Sequence, residues 1–231
     1  MTSVDVIIGH GQHDDPHRVA VRDWIVRRWI DTHDLPVTLA ECPDPHWSKG
    51  AAVNPAIAAS TADVIIAADA DSYVTDDHLR RGIDHAATGG WAMPYAEVRR
   101  YSQTTTTAIL TGRPLPRPRL ERGPYPALPG GGIVIAHRDA WATVGGFDPR
   151  FRGWGGEDHA LGLALRILVG DAHRQRAAAL THLWHPPAPA HRRPSADSRR
   201  LAARYRAARR DPDAMRHLIG EWAHDPQPAT S

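Results

Sequence analysis

Cysteine, lysine and long apolar runs are almost absent from this 231-residue chain. The single cysteine, Cys42, excludes an internal disulfide and favours a reducing compartment, so we expect a cytoplasmic protein. No apolar run approaches the roughly eighteen residues that a membrane span needs, and the first residues lack the pattern of a signal peptide. We therefore expect no membrane span or anchor in this sequence.

Basic charge comes from arginine and is unevenly distributed. The chain has 28 Lys and Arg against 26 Asp and Glu, and Lys49 is its only lysine. A lone lysine suggests a position that requires a compact point charge. Between Arg192 and Arg216, nine arginines stand against three aspartates. This stretch is either the solvated face of the last helices or a surface for an anionic partner such as DNA or a membrane.

Short apolar runs alternate with amphipathic segments in the first part of the chain. The pattern predicts strands at Val4–Ile8, Val37–Cys42 and Val64–Ala68, and helices at Pro16–Asp31, Ser48–Ser60 (interrupted at Asn54-Pro55) and Asp76–Ala87. Such alternation predicts an α/β fold with a mostly parallel sheet flanked by helices. Because ligands bind at the carboxyl ends of such strands, we expect one crevice lined by Gly9, His10, Glu41, Asp69 and Asp71.

The second part of the chain is less regular. It predicts strands at Trp91–Val98, Ile133–Ala136 and Ala177–Trp184, and helices at Gln103–Leu110, Arg138–Val144, Ala160–Val169, Ser195–Arg210 and Pro212–Trp222. Residues Gly112 to Gly130 hold six prolines and four arginines without a period, which predicts a long loop. Long loops inside a compact domain are usually functional lids or mobile.

An acid pair and a histidine pair are candidates for a metal site. Asp69 and Asp71 end a buried strand, and residues two apart in a strand point the same way, so both carboxylates can face one divalent cation. A turn or helix-cap role for the pair is the alternative. Strand alternation puts His182 and His185 on opposite sides, so we expect only His185, at the strand's end, to reach the metal.

A glycine-rich loop with one tryptophan precedes a second acid pair. Residues Gly153 to Gly156 cannot form a stable helix interior, since each glycine costs about 1 kcal/mol there. Glu157 and Asp158 follow at a helix start, where acids are favoured. An ordinary glycine loop before a helix is the alternative to a functional site.

Together these motifs resemble a family-2 glycosyltransferase of the GT-A (Rossmann-like) fold. The resemblance rests on Asp69-Ala70-Asp71 with Lys49-Gly50 and Asn54 upstream, and it covers residues 4 to 187. The block Gly145-Gly146-Phe147-Asp148 with Gly153-Trp154-Gly155-Gly156-Glu157-Asp158 is similar to the C-terminal signature of β-1,4-galactosyltransferases. It is also similar to that of bacterial chondroitin-type polymerases and polypeptide N-acetylgalactosaminyltransferases.

The resemblance implies a role for each matched residue. The enzyme would transfer a sugar from a nucleotide-diphosphate donor, with UDP as the expected nucleotide, to a glycan or other hydroxyl acceptor. Mn²⁺ or Mg²⁺ would be its cofactor. The implied sites are Asp71 and His185 for the metal; Asp69 for the ribose or the metal; Gly9, His10, Glu41, Lys49 and Asn54 for the nucleoside and its ribose; Gly131 and Gly132 for the sugar; Trp154, Gly155 and Glu157 for the acceptor; and Asp158 as catalytic base.

The last acid of the block bears on stereochemistry. Retaining N-acetylgalactosaminyltransferases have a block that resembles Trp-Gly-Gly-Glu-Asn, whereas Asp158 supplies a carboxylate here, so the resemblance implies inversion. The implied layout is a glycosyltransferase domain over 1–187, with a nucleotide-binding half (1–90) and an acceptor half (91–187), and a basic helical extension over 188–231. One departure is Gly9-His10-Gly11, which replaces the family's usual proline–aromatic–asparagine turn.

Two other functions remain open from the sequence. A nucleotidyltransferase of similar fold would also use an acidic metal site, but it needs a glycine- and lysine-rich phosphate loop after the first strand, and none is present. A non-catalytic module that binds sugar or nucleic acid is the other alternative, and the arginine-rich stretch supports it.

Overall fold

A computed structural model of the protein describes residues 2–11, 15–43, 46–186 and 194–223. The strands are β1 (Val4–His10), β2 (Val37–Glu41), β3 (Val64–Asp69), β4 (Ser72–Tyr73), β5 (Trp91–Met93), β6 (Glu97–Tyr101), β7 (Leu120–Pro126), β8 (Ile133–His137), β9 (His173–Arg174) and β10 (Ala179–His182). The helices are α1 (Pro16–His33), α2 (Lys49–Ala59), α3 (Asp76–Ala86), α4 (Gln103–Leu110), α5 (Arg138–Val144), α6 (Glu157–Leu168), α7 (Ala196–Ala208) and α8 (Pro212–Ala223).

The larger sheet has six strands in the order β2-β1-β3-β8-β5-β9. Strands β1, β2 and β3 are parallel, whereas β8 runs antiparallel to both β3 and β5. Residues 64–68 and 133–136 are buried without a break, because these central strands are covered on both faces. The mixed α/β architecture is confirmed, with β8 as an antiparallel strand among the central ones.

The smaller sheet has four strands in the order β4-β10-β6-β7. The predicted strand Trp91–Val98 is wrong as one element, since it divides into β5 of the larger sheet and β6 of the smaller one. The prediction of a loop over Gly112–Gly130 is also wrong in part, because β7 pairs antiparallel with β6. Proline is tolerated there because β7 is an edge strand, where a missing N–H leaves no ladder bond broken.

Helix α2 runs through Pro55 without the predicted interruption. Its first turn is capped by Ser48, whose hydroxyl accepts a hydrogen bond from the Ala51 N–H at 3.3 Å. Helix α6 begins at Glu157, three residues earlier than predicted, after a glycine cap at Gly156 with φ of 111°. The acid pair therefore occupies the first turn of this helix.

The two C-terminal helices pack onto α6 and extend the hydrophobic core. Tyr205, Met215 and Trp222 are buried in it. The Tyr205 hydroxyl donates to the buried carboxylate of Asp148 at 3.0 Å, and Arg150 also donates to this carboxylate. These contacts join the extension to the block that precedes the glycine loop.

Three arginines of the arginine-rich stretch, Arg200, Arg204 and Arg216, form ion pairs within the extension. Arg204 and Arg150 both bind Glu221, and Arg216 pairs with Asp213. The two helices predicted at Ser195–Arg210 and Pro212–Trp222 are confirmed as α7 and α8. Arg192, Arg193 and the expected domain boundary at residue 187 lie outside the described residues.

In the part of the chain that the structure describes, no helix has the length and apolar character needed to cross a bilayer.

Packing rather than charge should determine what the extension contributes to stability. Trp222→Ala should lower the free energy of unfolding by about 3–5 kcal/mol because it leaves a cavity between α8 and the core. Arg216→Gln removes an exposed ion pair and should change it by less than about 0.5 kcal/mol. Urea denaturation of both variants measures the difference, and equal effects would contradict the packing role.

Candidate active site

The carboxyl ends of β1, β2 and β3 lie side by side at one edge of the larger sheet. Gly9 is in register with Asp69 of β3, and His10 with Glu41 of β2. A Cβ atom added to Gly9 would lie 2.8 Å from the Val53 side chain, so glycine lets α2 pack closely against β1. The crevice expected from the sequence thus begins at this edge.

Lys49, at the start of α2, joins the two acid pairs. Its ammonium nitrogen lies 2.7 Å from Asp69 Oδ1 and 3.0 Å from Asp158 Oδ1, and the side chain is only 7% exposed. Its ammonium also lies 4.7 Å from the centre of the Phe147 ring. One buried cation therefore fixes the distance between the end of β3 and the start of α6.

The charges in this cluster perturb one another strongly. Burial alone would lower the pKa of Lys49, but Asp158 and Asp69 outweigh it and raise that pKa above its ordinary value. Burial raises the pKa of Asp69 to about 6, with Lys49 opposing and the neighbouring Asp158 and Asp71 adding to the rise. The lysine is therefore held charged, and the acids compete for it.

Asp158 keeps its second oxygen close to the glycine segment before β8. A Cβ atom added to Gly131 would lie 3.0 Å from Asp158 Oδ2, and one added to Gly130 would lie 2.1 Å from the Asp158 carbonyl oxygen. The Tyr95 hydroxyl donates to the Gly131 carbonyl and fixes this segment from the other side. Gly132 has a φ of 68°, which favours glycine at that position.

The glycine loop presents Trp154 to solvent. This side chain is 58% exposed, an unusual position for a tryptophan, while Gly155 beneath it packs against Pro194. The loop is fixed at its start by the Gly153 N–H, which donates to the Trp47 carbonyl at 2.7 Å. An exposed aromatic plate on a fixed loop can stack against a flat ligand.

Glu157 has a buried carboxylate oxygen without a partner. Its Oε2 makes no hydrogen bond to any described residue. Burial, and then the adjacent Asp158 charge, raise the pKa of Glu157 to about 7. Near neutral pH this carboxyl can donate or accept a hydrogen bond, depending on its protonation state.

Asp71, His182 and His185 form a cluster that can hold a metal ion. One ligand atom from each lies within 4.8 Å of the others. Asp71 Oδ2 is 3.0 Å from His185 Nε2 and 3.5 Å from His182 Nε2. Two imidazoles and a carboxylate suit manganese and other borderline divalent ions.

The surroundings orient these three ligands. The Ser72 hydroxyl donates to Asp71 Oδ1 at 2.8 Å, which leaves Oδ2 facing the histidines. His185 Nδ1 lies 3.0 Å from the Pro186 carbonyl, so a proton on Nδ1 leaves the Nε2 lone pair for a metal. Arg18 donates to the same carbonyl at 2.6 Å and ties the segment to α1.

The histidines differ in protonation. Burial lowers the pKa of His182 against the opposing charge of Asp71, and Arg100 lowers it further. Burial acts the same way on His185, but its hydrogen bond to Asp71 and the Asp71 charge raise its pKa. Although burial favours the neutral acid, the two histidines lower the pKa of Asp71. The carboxylate is thus ionised and His182 neutral, the forms that bind a cation.

Three predicted positions need revision. His182 joins His185 at Asp71, because β10 ends at His182 and strand alternation does not continue to residue 185. Asn54, expected at the nucleoside, exchanges two hydrogen bonds with the Phe147 backbone at 2.7 and 2.9 Å. Lys49, expected beside the ribose, is held instead between Asp69 and Asp158.

Asp69, His10 and Glu41, which were also predicted to line the crevice, lie at the ends of their strands. Asp69 binds Lys49 and is not part of the metal cluster found among the described residues. His10 is partly buried and Glu41 is exposed at the strand ends. Tyr95, which positions Gly131, was missed, since a tyrosine after a short apolar run carries no signal of a site.

Two protein-family models match overlapping parts of the chain. A family described as glycosyl transferase family 2 matches residues 24–142, which is more than half of the chain. The chain belongs to glycosyl transferase family 2. A second family, described as the N-terminal domain of galactosyltransferase, matches residues 120–185, from β7 through the glycine loop to His185.

Solved structures confirm the GT-A fold of this family-2 chain. Drosophila β1,4-galactosyltransferase 7, in complex with xylobiose, aligns with a TM-score of 0.53 and 11% identity over 88% of this chain and 80% of its own. GalNAc-T7, with UDP, GalNAc and Mn²⁺, aligns with a TM-score of 0.56 and 11% identity over 96% of this chain and 55% of its own. TarS from S. aureus, with UDP-GlcNAc, aligns with a TM-score of 0.54 and 10% identity over 95% of this chain and 71% of its own.

One curated relative shares a short segment. Human chondroitin sulfate N-acetylgalactosaminyltransferase 2 is 41% identical over 58 residues, which is 24% of this chain. The segment spans only 10% of that protein's length.

Both histidines should contribute to metal binding. His182→Ala and His185→Ala should each weaken Mn²⁺ binding by about 10–100-fold, because each removes one of three clustered ligands. Titration followed by electron paramagnetic resonance measures this without any turnover. His217→Ala, an exposed histidine on α8, is the control and should bind as the wild type does. Unchanged affinity in His182→Ala would restrict the site to Asp71 and His185.

Glu157 should make folding stability depend on pH. Its folded pKa of about 7 lies above the ordinary 4.5, so the folded state retains a proton that the unfolded state releases. This contribution is fully present below about pH 4.5 and is lost as the pH rises through about 7. Glu157→Gln should flatten the fall in unfolding free energy over that window by at most about 1.4 kcal/mol per pH unit. Parallel urea titrations from pH 4.5 to 8 test this, and identical slopes would contradict it.

Proposed function

We propose that this protein is a metal-dependent, inverting glycosyltransferase that moves a sugar from a UDP-linked donor to a hydroxyl group. The observation that carries the proposal is the Lys49 bridge between Asp69 and Asp158, at 2.7 and 3.0 Å. It puts the proposed catalytic base beside the strand end that leads to the metal cluster. A donor at Asp71 and an acceptor at Asp158 would then meet within one site.

Asp158 Oδ2 is the oxygen that would receive the acceptor proton. Oδ1 already accepts a hydrogen bond from Lys49, whereas Oδ2 faces the backbone at Gly131. A side chain at Gly131 would lie against that oxygen, so glycine leaves it uncovered on this side. A base must lie within hydrogen-bond reach of the hydroxyl it deprotonates, and this position meets that requirement once the acceptor lies over Gly131.

Trp154 and Glu157 would bind the acceptor on the other side of the base. The exposed indole offers a flat apolar surface to a sugar ring, and Glu157 Oε2 is a buried oxygen without a partner among the described residues. A sugar hydroxyl would supply the missing hydrogen bond. Glu157 and Trp154 precede Asp158 by one and four residues, so an acceptor held by them would lie near the base.

Asp71, His182 and His185 would hold Mn²⁺. A bound divalent cation supplies charge stabilisation for the departing diphosphate. These residues fit it, since the ionised Asp71 oxygen and the Nε2 atoms face one another. Support for UDP comes from the relatives of the same fold, because the GalNAc-T7 structure holds UDP with Mn²⁺ and the TarS structure holds UDP-GlcNAc.

Attack by the activated hydroxyl opposite the leaving group inverts the anomeric centre. A screen of nucleotide sugars with Mn²⁺ should identify a donor from which UDP is released. NMR of the product formed from that donor should then show the opposite anomeric configuration. A product with retained configuration would reject Asp158 as the base of a direct displacement.

Asp158→Asn should separate catalysis from donor binding. Turnover should fall by about 10²–10⁴-fold because the amide cannot take the proton, while the affinity for UDP with Mn²⁺ stays near that of the wild type. Steady-state kinetics and calorimetry measure the two quantities. Asp139→Asn alters an exposed first-turn aspartate of α5 and serves as the matched control. Wild-type turnover in Asp158→Asn would exclude the proposed role.

A further inference from the structure

Two arginines lie in register with a metal ligand across the smaller sheet. Ser72 of β4 is opposite His182 of β10, and His182 is in register with Arg100 of β6. Arg100 pairs in turn with Arg122 of β7, at a position with a register shift on either side. Side chains in register on neighbouring strands point to the same face of a sheet. The row therefore runs from the metal cluster to the exposed edge of the sheet.

Side-chain contacts also place Arg100 and Arg122 on the same face of the sheet. Arg100 Nε donates to the Tyr125 hydroxyl at 2.9 Å, and the Arg122 guanidinium lies 5.3 Å from the centre of the same ring. Arg99 points to the opposite face, as strand alternation requires, and pairs there with Glu97 at 2.6 Å. Tyr125 thus holds two guanidinium groups near each other on the face that carries His182.

The opposed arginines break a rule of strand pairing. Like charges directly opposite each other on paired strands are destabilising. Neither Arg100 nor Arg122 forms an ion pair with a carboxylate in the ranges that the structure describes, whereas the arginines of the C-terminal helices include several that do. Local conflicts of this kind are expected where a ligand relieves them.

We propose that Arg100 and Arg122 bind a carboxylate group carried by the acceptor. Guanidinium groups recognise planar oxyanions through paired hydrogen bonds. At a strand spacing of about 4.8 Å, Arg122 lies two strands, about 10 Å, from His182, outward from the metal cluster. The row therefore extends beyond the metal, towards solvent, where a polymeric acceptor can enter.

The chain connects this site to the catalytic base. Strand β7 leads through residues 127–130 to Gly131, which lies beside Asp158 Oδ2. Along this connection the Ala127 N–H donates to the Ala96 carbonyl, and Leu128 is exposed. An acidic chain with one hydroxyl at Asp158 can thus follow the connection to the arginines. This inference rests on the proposed function, because it needs the acceptor to lie at Asp158.

Binding measurements can test the site without turnover. The probes are a uronic-acid-containing tetrasaccharide and the same tetrasaccharide with its carboxyl groups reduced to alcohols. Arg100→Gln and Arg122→Gln should each weaken calorimetric binding of the acidic form by about tenfold and leave the neutral form unchanged. Arg99→Gln removes the same charge from the opposite face of β6 and should bind both forms as the wild type does.

Other outcomes overturn the proposal. Equal binding of the two tetrasaccharides by the wild type, or unchanged binding in both variants, would exclude an anion site. A loss of affinity for UDP with Mn²⁺ instead would assign the arginines to the donor. Thermal melts verify that each variant is folded. If arginine-dependent binding is found but no sugar is transferred, the anion site stands and the proposed function fails. If sugar is transferred but binding does not depend on the arginines, the proposed function stands and the anion site fails.

Discussion

The buried ammonium of Lys49 is the constraint on which the geometry of the site depends. Asp69 ends a strand in the first half of the chain, and Asp158 lies in the first turn of a helix in the second half, yet both accept hydrogen bonds from one lysine. Removing Lys49 would leave two neighbouring carboxylates without their shared cation, which is more costly than losing an exposed ion pair. Lysine suits this position because a compact charge with three donors can serve two carboxylates at different angles. A chain that otherwise uses arginine keeps its single lysine here.

Helix α2 positions the segment around Phe147 as well as Lys49. Asn54 binds the Phe147 backbone, and the Ser48 hydroxyl donates to the Pro149 carbonyl at 3.0 Å. A Cβ atom on Gly50 would lie 2.4 Å from the Phe147 carbonyl oxygen, so glycine is required for this close approach. Behind the block, Asp148 is held by Tyr205 and Arg150. The Trp154 loop thus lies between two rigid supports, and this order before binding reduces the entropy that an acceptor must lose.

The sequence predicted most of the fold, and the reasons for the failures are specific. Buried strands such as Val64–Asp69 and helices with apolar stripes have periods that a short window detects. Strand β7 was missed because its prolines and exposed residues have no such period, and its pairing with β6 is a tertiary contact. Asp71 and His185 could be singled out because carboxylates and imidazoles at strand ends carry a chemical signal, and the structure places them together. The role of Asp158 as a base stays a prediction. His182 was rejected because alternation was extended past the end of β10, and the partners of Lys49 could not be predicted because they depend on how distant segments meet.

The distribution of unpaired polar groups follows from the same packing. Glu157 Oε2 and His182 Nδ1 are among the buried side-chain atoms that lack a hydrogen-bond partner within the described ranges. Both belong to residues that line the proposed crevice, and the opposed Arg100 and Arg122 lie on the face that carries His182. Folded chains satisfy nearly all buried polar groups. Of the four such atoms without a partner in the described ranges, which also include Arg28 Nε and His159 Nδ1, Glu157 Oε2 is the one that the proposed acceptor would complete. In the C-terminal helices Arg200, Arg204 and Arg216 pair with acids, whereas Arg100 and Arg122 have no carboxylate partner within the described ranges.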